Sequence, residues 1–156
     1  MSSDDAMADF VARSASELAA QGFPAMPARV IMALTASEEG QLTSEQLTDV
    51  LSASPAAISG AVRYLGTLGF VRQTTVPGSR RHVYTLPHTP WYTASLTRPG
   101  IYRSIIELLG SGAAALPDGS SARARIEEMA DFFRFFERRI PELLEEWHQA
   151  RAADPG

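Results

Sequence analysis

Residues Ser54 to Leu86 read SPAAISGAVRYLGTLGFVRQTTVPGSRRHVYTL. Ser54-Pro55 is a strong helix start: a serine side chain can accept from free backbone N–H groups, and proline carries the fixed φ of a first helical turn. Ile58, Val62 and Leu65 follow at helical spacing, and Gly69 stands where a helix usually ends. The spacing predicts a helix over 54–68. Phe70 to Val76 is rich in β-branched residues and reads as a strand. Pro77-Gly78-Ser79-Arg80 is a turn sequence, and His82 to Leu86 is the return strand. A capped helix followed by a two-stranded hairpin is the pattern that decides the fold.

On the N-terminal side, residues 4–21 read as a helix with Phe10, Val11, Ala15 and Leu18 roughly on one face and Gly22 at the stop. Pro27 suits a first helical turn, after which Val30, Ile31 and Leu34 form an apolar face up to about Ser37. Leu42-Thr43 opens a third helix, and Thr43 with Gln46 has the spacing of a capping box. Leu47, Val50 and Leu51 mark its buried side. On the C-terminal side, a helix is predicted over 94–110, with Ile101, Ile105 and Leu108 or Leu109 on one face. A Gly/Ala/Pro/Ser loop follows over 110–121. The last helix, about 121–151, carries Ile126, Met129, Phe133, Phe136, Ile140, Leu143 and Trp147 at alternating spacings of three and four, an a/d stripe. Pro141 lies inside it and predicts a kink or break near Arg139.

Length and composition narrow the classes. A chain of 156 residues fits one domain, or one domain with appended helices. Cysteine is absent, which excludes disulfides, thiolate nucleophiles and Cys-ligated zinc or iron–sulfur sites. All 14 basic residues are Arg, which excludes lysine chemistry such as a P-loop or a Schiff base. No apolar run approaches the ~18 residues of a membrane helix, and MSSDDAMADF lacks a basic-then-apolar signal pattern, so the expected location is the cytoplasm. His82, His88 and His148 lack metal-ligand spacing. Glu38-Glu39, Glu127-Glu128 and Glu145-Glu146 are adjacent pairs, which point about 100° apart on a helix and read as solvated faces. Gly110-Ser111-Gly112 follows a helix and not a strand, so it lacks the dinucleotide-binding context. No catalytic residue, metal or cofactor is expected.

The distribution of charge points the other way, toward a polyanion. The chain totals −4. The Ser54–Leu86 stretch contains Arg63, Arg72, Arg80 and Arg81 without an acidic residue, so the remainder is −8 against its +4. The order helix, helix, capped helix, short turn, capped helix, hairpin is that of a winged helix-turn-helix, mainly α with a small β-hairpin wing (α+β). Residues 43–52 are then the supporting helix and 54–68 the recognition helix, which enters a major groove of duplex DNA. Its small residues Ser54, Ala56, Ala57, Ser59, Gly60 and Ala61 allow close approach. Ser54 and Ser59 suit phosphates or bases, and Arg63 and Tyr64 the backbone or a guanine. Thr43 is a further candidate contact. Ser79, Arg80 and Arg81 form the wing tip, placed for a flanking minor groove or phosphates. The alternative is a winged helix used for protein contacts, with its arginines merely solvated.

The run from Gly22 to Leu86 resembles the core of the MarR family of bacterial regulators, in particular its GbsR-like branch. SPAAISGAVRYL and VPGSRRHVY carry most of the likeness, which is close over about residues 20–95 and loose over the flanking helices. The resemblance implies a homodimeric transcription factor, usually a repressor, whose grip on DNA changes when an effector binds. It places Ser54, Ala56, Ala57, Ser59, Gly60 and Arg63 on the recognition helix and Arg80 and Arg81 on the wing. The chain departs from the pattern in its proline-bearing C-terminal helix and its overall acidity. The expected division is 1–22, an N-terminal dimerisation helix; 23–90, the DNA-binding domain; and 91–156, C-terminal dimerisation helices. Phe10, Ile126, Met129, Phe133, Phe136, Ile140, Leu143 and Trp147 form the expected dimer surface, because a long helix must bury its apolar side somewhere. Packing of that stripe within the chain, against residues 4–21 and 94–110, is the competing reading. Trp91, Tyr92, Tyr102 and Phe132 are candidates for an effector pocket, with ordinary core packing as the plainer role.

Overall fold

Ile31, Leu34, Leu47, Ile58 and Leu65 are the largest fully buried leucine and isoleucine side chains, and they fix how three helices meet. The structure, a computed structural model, describes residues 3–75, 78–79, 81–88, 90–97 and 100–153. Its elements are α1 (Ser3–Ala20), α2 (Ala25–Ala36), β1 (Gln41–Thr43), α3 (Ser44–Leu51), α4 (Pro55–Thr67), β2 (Arg72–Thr75), β3 (His82–Thr85), α5 (Trp91–Thr97), α6 (Ile101–Ala114) and α7 (Ser121–Ala153). They form two units, residues 1–95 and 96–156.

In the first unit the apolar faces of α2, α3 and α4 close on one another, and Val11 and Ala15 of α1 join the same core. Each such large side chain removed from water contributes about 1.5–3 kcal/mol. Phe70, Val71 and Tyr84 seal the side of the core next to the sheet. The helices expected over 4–21, 27–37, 43–52 and 54–68 are all present, with ends moved by a residue or two.

The sheet has three strands, in the order β1-β3-β2, all antiparallel. The third strand is a correction: Gln41–Thr43 pairs with β3, Leu42 opposite Tyr84, where the sequence reads as the opening of a helix. Three residues are too few for period-2 alternation to register, and their strand character comes from the partner strand. Thr43 serves both elements. It ends β1 and caps α3, its Oγ1 accepting from Gln46 N at 3.1 Å while Thr43 N donates to Gln46 Oε1 at 2.8 Å. Thr43→Ala is expected to lower unfolding free energy by about 1 kcal/mol, the usual worth of an N-cap. A urea midpoint equal to wild type would show that β1 pairing alone holds α3.

Residues 91–153 correct three further expectations. The helix predicted over 94–110 is two helices, α5 and α6, and Gly100, at φ 79°, precedes the second as its N-cap. The helix α6 then runs through Gly110 and Gly112 to Ala114, so the loop starts later than its glycines suggest. The small residues Ala113 and Ala130 are buried in the α6–α7 hairpin, and that packing outweighs the low helix propensity of glycine. No break occurs at Pro141. The helix α7 is continuous for 33 residues, losing the bond to the Glu137 carbonyl while Arg139 pairs with Glu142 across the site.

Candidate nucleic-acid interface

The turn from α3 into α4 is locked by backbone groups. Ser52 adopts φ 47°, and its N–H and that of Ala53 donate to Asp49 O and Thr48 O. The half-buried Arg29 guanidinium of α2 donates to the Leu51 carbonyl, satisfying an acceptor that α3 leaves open at its C-terminus. Ser54 Oγ then accepts from Ala57 N at 3.2 Å and starts α4.

Ile58, Ala61, Val62 and Leu65 are buried, so the opposite row of α4, Ala56, Ser59, Gly60, Arg63 and Thr67, points outward. Ser54 and Pro55 are exposed at its start, Ala57 is half-buried, and Ala61 belongs to the core. Tyr64 is exposed at the flank, its ring held edge-on to Phe23 at 6.0 Å. Among the described residues no carboxylate pairs with Arg63 or Arg72.

The wing lies beside α3. Arg72 is exposed on β2, opposite Thr85 of β3. Ser79 Oγ accepts from Arg81 N at 3.1 Å, and the Arg81 guanidinium lies 3.9 Å from the Glu45 carboxylate, both side chains exposed. Glu45 is what the one-dimensional reading missed: the island is acid-free in sequence, yet the fold brings one carboxylate to its edge. At that distance and exposure the pair is weak. Toward the turn end of the hairpin the His82 ring nitrogen Nδ1 meets Gln73 Nε2 at 3.0 Å. The wing-tip assignment of Arg80 lies outside the described residues. Thr43, the remaining candidate contact, is half-buried with its oxygen already engaged in the capping box.

The other predicted surfaces separate on inspection. Along α7, Ile140 is buried and Ile126, Phe133 and Phe136 are half-buried, with Phe133 facing Tyr102 of α6 at 6.2 Å. Met129, Phe132, Phe135, Leu143 and Trp147 are exposed, as is Phe10 on α1. Of the effector-pocket candidates, Trp91 is half-buried against Phe70 at 6.0 Å, Tyr92 is exposed, and the Phe132 ring lies tilted against Phe136 at 4.8 Å. A cavity of about 480 Å³ lies elsewhere, in the first unit, lined by residues including Val11, Arg29, Ala33, Leu42 and Val50. Among the described residues no cluster of His, Asp and Glu could hold a metal ion, and no helix is long and apolar enough to cross a membrane.

A supporting helix, a capped helix with an outward row of small residues bearing Arg63, and a three-stranded wing define a winged helix-turn-helix. Comparison with known proteins places it more closely. Residues 21–82 match the model of the MarR family, and residues 89–150 match that of MmpR5-like MarR family transcriptional regulators. Over both stretches the chain is similar to MarR family winged-helix transcriptional regulators. It is 24% identical over 155 residues to the HTH-type transcriptional regulator MmpR5 of Mycobacterium tuberculosis, covering 99% of this chain and 94% of that protein. A crystal structure of a transcriptional regulator has the same fold, with a TM-score of 0.79, 24% identity, and 92% of this chain and 98% of that one covered.

Proposed function

We propose that the protein is a sequence-specific DNA-binding repressor of the bacterial cytoplasm, acting as a homodimer on a near-palindromic operator and releasing it when a small apolar or aromatic effector binds. The observation that carries the reading is the row on α4, which exposes Arg63 without an acidic partner among the described residues and sits in a stretch of +4 within a chain of −4. A cation left unpaired beside small residues suits a ligand with phosphates and an accessible edge. The exposed apolar side chains of α7 and Phe10 support the homodimer, because such a surface needs cover. Two-fold symmetry then sets the recognition helices ~34 Å apart, one turn of DNA. The 480 Å³ cavity, large enough for a small molecule, supports an effector.

Salt titration of duplex binding is the test. Affinity for the operator should fall log-linearly with salt, and Arg81→Ala should reduce the slope by about 1 while weakening every duplex alike. Binding to DNA upstream of its own gene that is no tighter than to random duplex, and indifferent to salt, would leave the protein-interaction reading in its place.

A further inference from the structure

Gly60 stands in the middle of α4, and nothing in the fold requires a glycine there. Its backbone is helical, and a Cβ built on it would meet no atom within 4 Å. A helix-interior glycine is less stable than alanine at the same place. The missing methyl leaves open backbone one turn from Arg63, which has no carboxylate partner among the described residues. Ala56, Ser59, Gly60 and Arg63 recur at i, i+3, i+4 and i+7, opposite the buried row. This outward row has no Asn or Gln to pair with adenine and no carboxylate to accept from the cytosine amino group. Three modes of base reading remain to it: a guanidinium on guanine, the Ser59 hydroxyl on a base edge of either kind, and apolar contact with the 5-methyl group of thymine, the mode open to Ala56 and Gly60.

We infer that Gly60 is a specificity-determining position, whose bare backbone lets thymine methyl groups seat against α4 between Ala56 and Arg63. The half-site is then read by methyl contact at Ala56 and Gly60 and by guanine contact at Arg63. The inference rests on the DNA-binding reading above.

Selection from random duplexes supplies the operator, and three comparisons follow on the full chain. Gly60→Ala should raise the thermal midpoint yet bind the operator about tenfold more weakly, with binding to random duplex unchanged. Gly66→Ala is the control: it lies on the same helix but nearly two turns nearer its C-terminus, away from the N-terminal part that enters the groove, and an added Cβ there meets only Val71 O at 4.0 Å. It should stabilise without altering operator binding. Replacing thymine by uracil, one position at a time, should weaken wild-type binding several-fold at one or two positions per half-site. Operator binding by Gly60→Ala equal to wild type, or uracil silent at every thymine, overturns the inference and leaves the DNA-binding reading standing. Absence of any sequence preference in the wild type overturns both.

Discussion

Met129→Glu combined with Leu143→Glu is expected to turn the proposed dimer into a folded monomer and to lower operator affinity by at least about 100-fold. Both side chains are more than half or half exposed, at 50% and 56%, so glutamate at either place leaves the α6–α7 packing intact. In an intersubunit seam the same carboxylates would be buried without partners, at several kcal/mol each. Binding suffers in turn, because two linked half-site contacts become one and the gain in effective concentration is lost. Sedimentation velocity at micromolar concentration reads the association state, and far-UV circular dichroism shows whether the helices persist. A variant that sediments as wild type while keeping its helices places the exposed α7 row outside the interface.

How far the sequence carried this reading depends on the range of the forces involved. Ser54-Pro55, the Thr43–Gln46 box and the buried rows of α2, α3 and α4 are local signals, written within a turn or two of chain, and the structure has them except at Val50 of α3, expected on the buried side but exposed. The strand β1 is not local: Leu42 becomes a strand residue only because Tyr84 lies opposite. Gly110 and Gly112 look like a loop until α7 packs beside them, and Pro141 looks like a break until a long helix spans it. Within the site, the outward row of α4 was legible because helical period alone separates it from the core. The Arg29 bond to Leu51 and the approach of Glu45 to Arg81 join residues 22 and 36 positions apart, and no pattern in the chain announces either.

Arg63→Ala is expected to leave folding stability within about 0.5 kcal/mol, because the side chain is exposed and, among the described residues, has no ion-pair partner to abandon. Its effect falls on DNA. A guanidinium reading guanine contributes roughly 1–3 kcal/mol per contact, so the loss is about 5- to 150-fold for each half-site. Two copies in a dimer act at two half-sites, and the penalties add where the sites are independent. The alternative role, contact with a phosphate, predicts a different signature: all duplexes weaken alike and the salt slope falls by about 1 per arginine removed. Selection of binding sites by the variant separates the two. Base reading relaxes the preference at one guanine position per half-site and keeps the slope nearly unchanged. Arg63→Lys sharpens the comparison, since lysine restores the charge but lacks the planar fork that pairs with both guanine acceptors. If lysine recovers full operator affinity, the residue acts as a charge near the backbone; if it recovers random-duplex binding but not the preference, Arg63 reads the base.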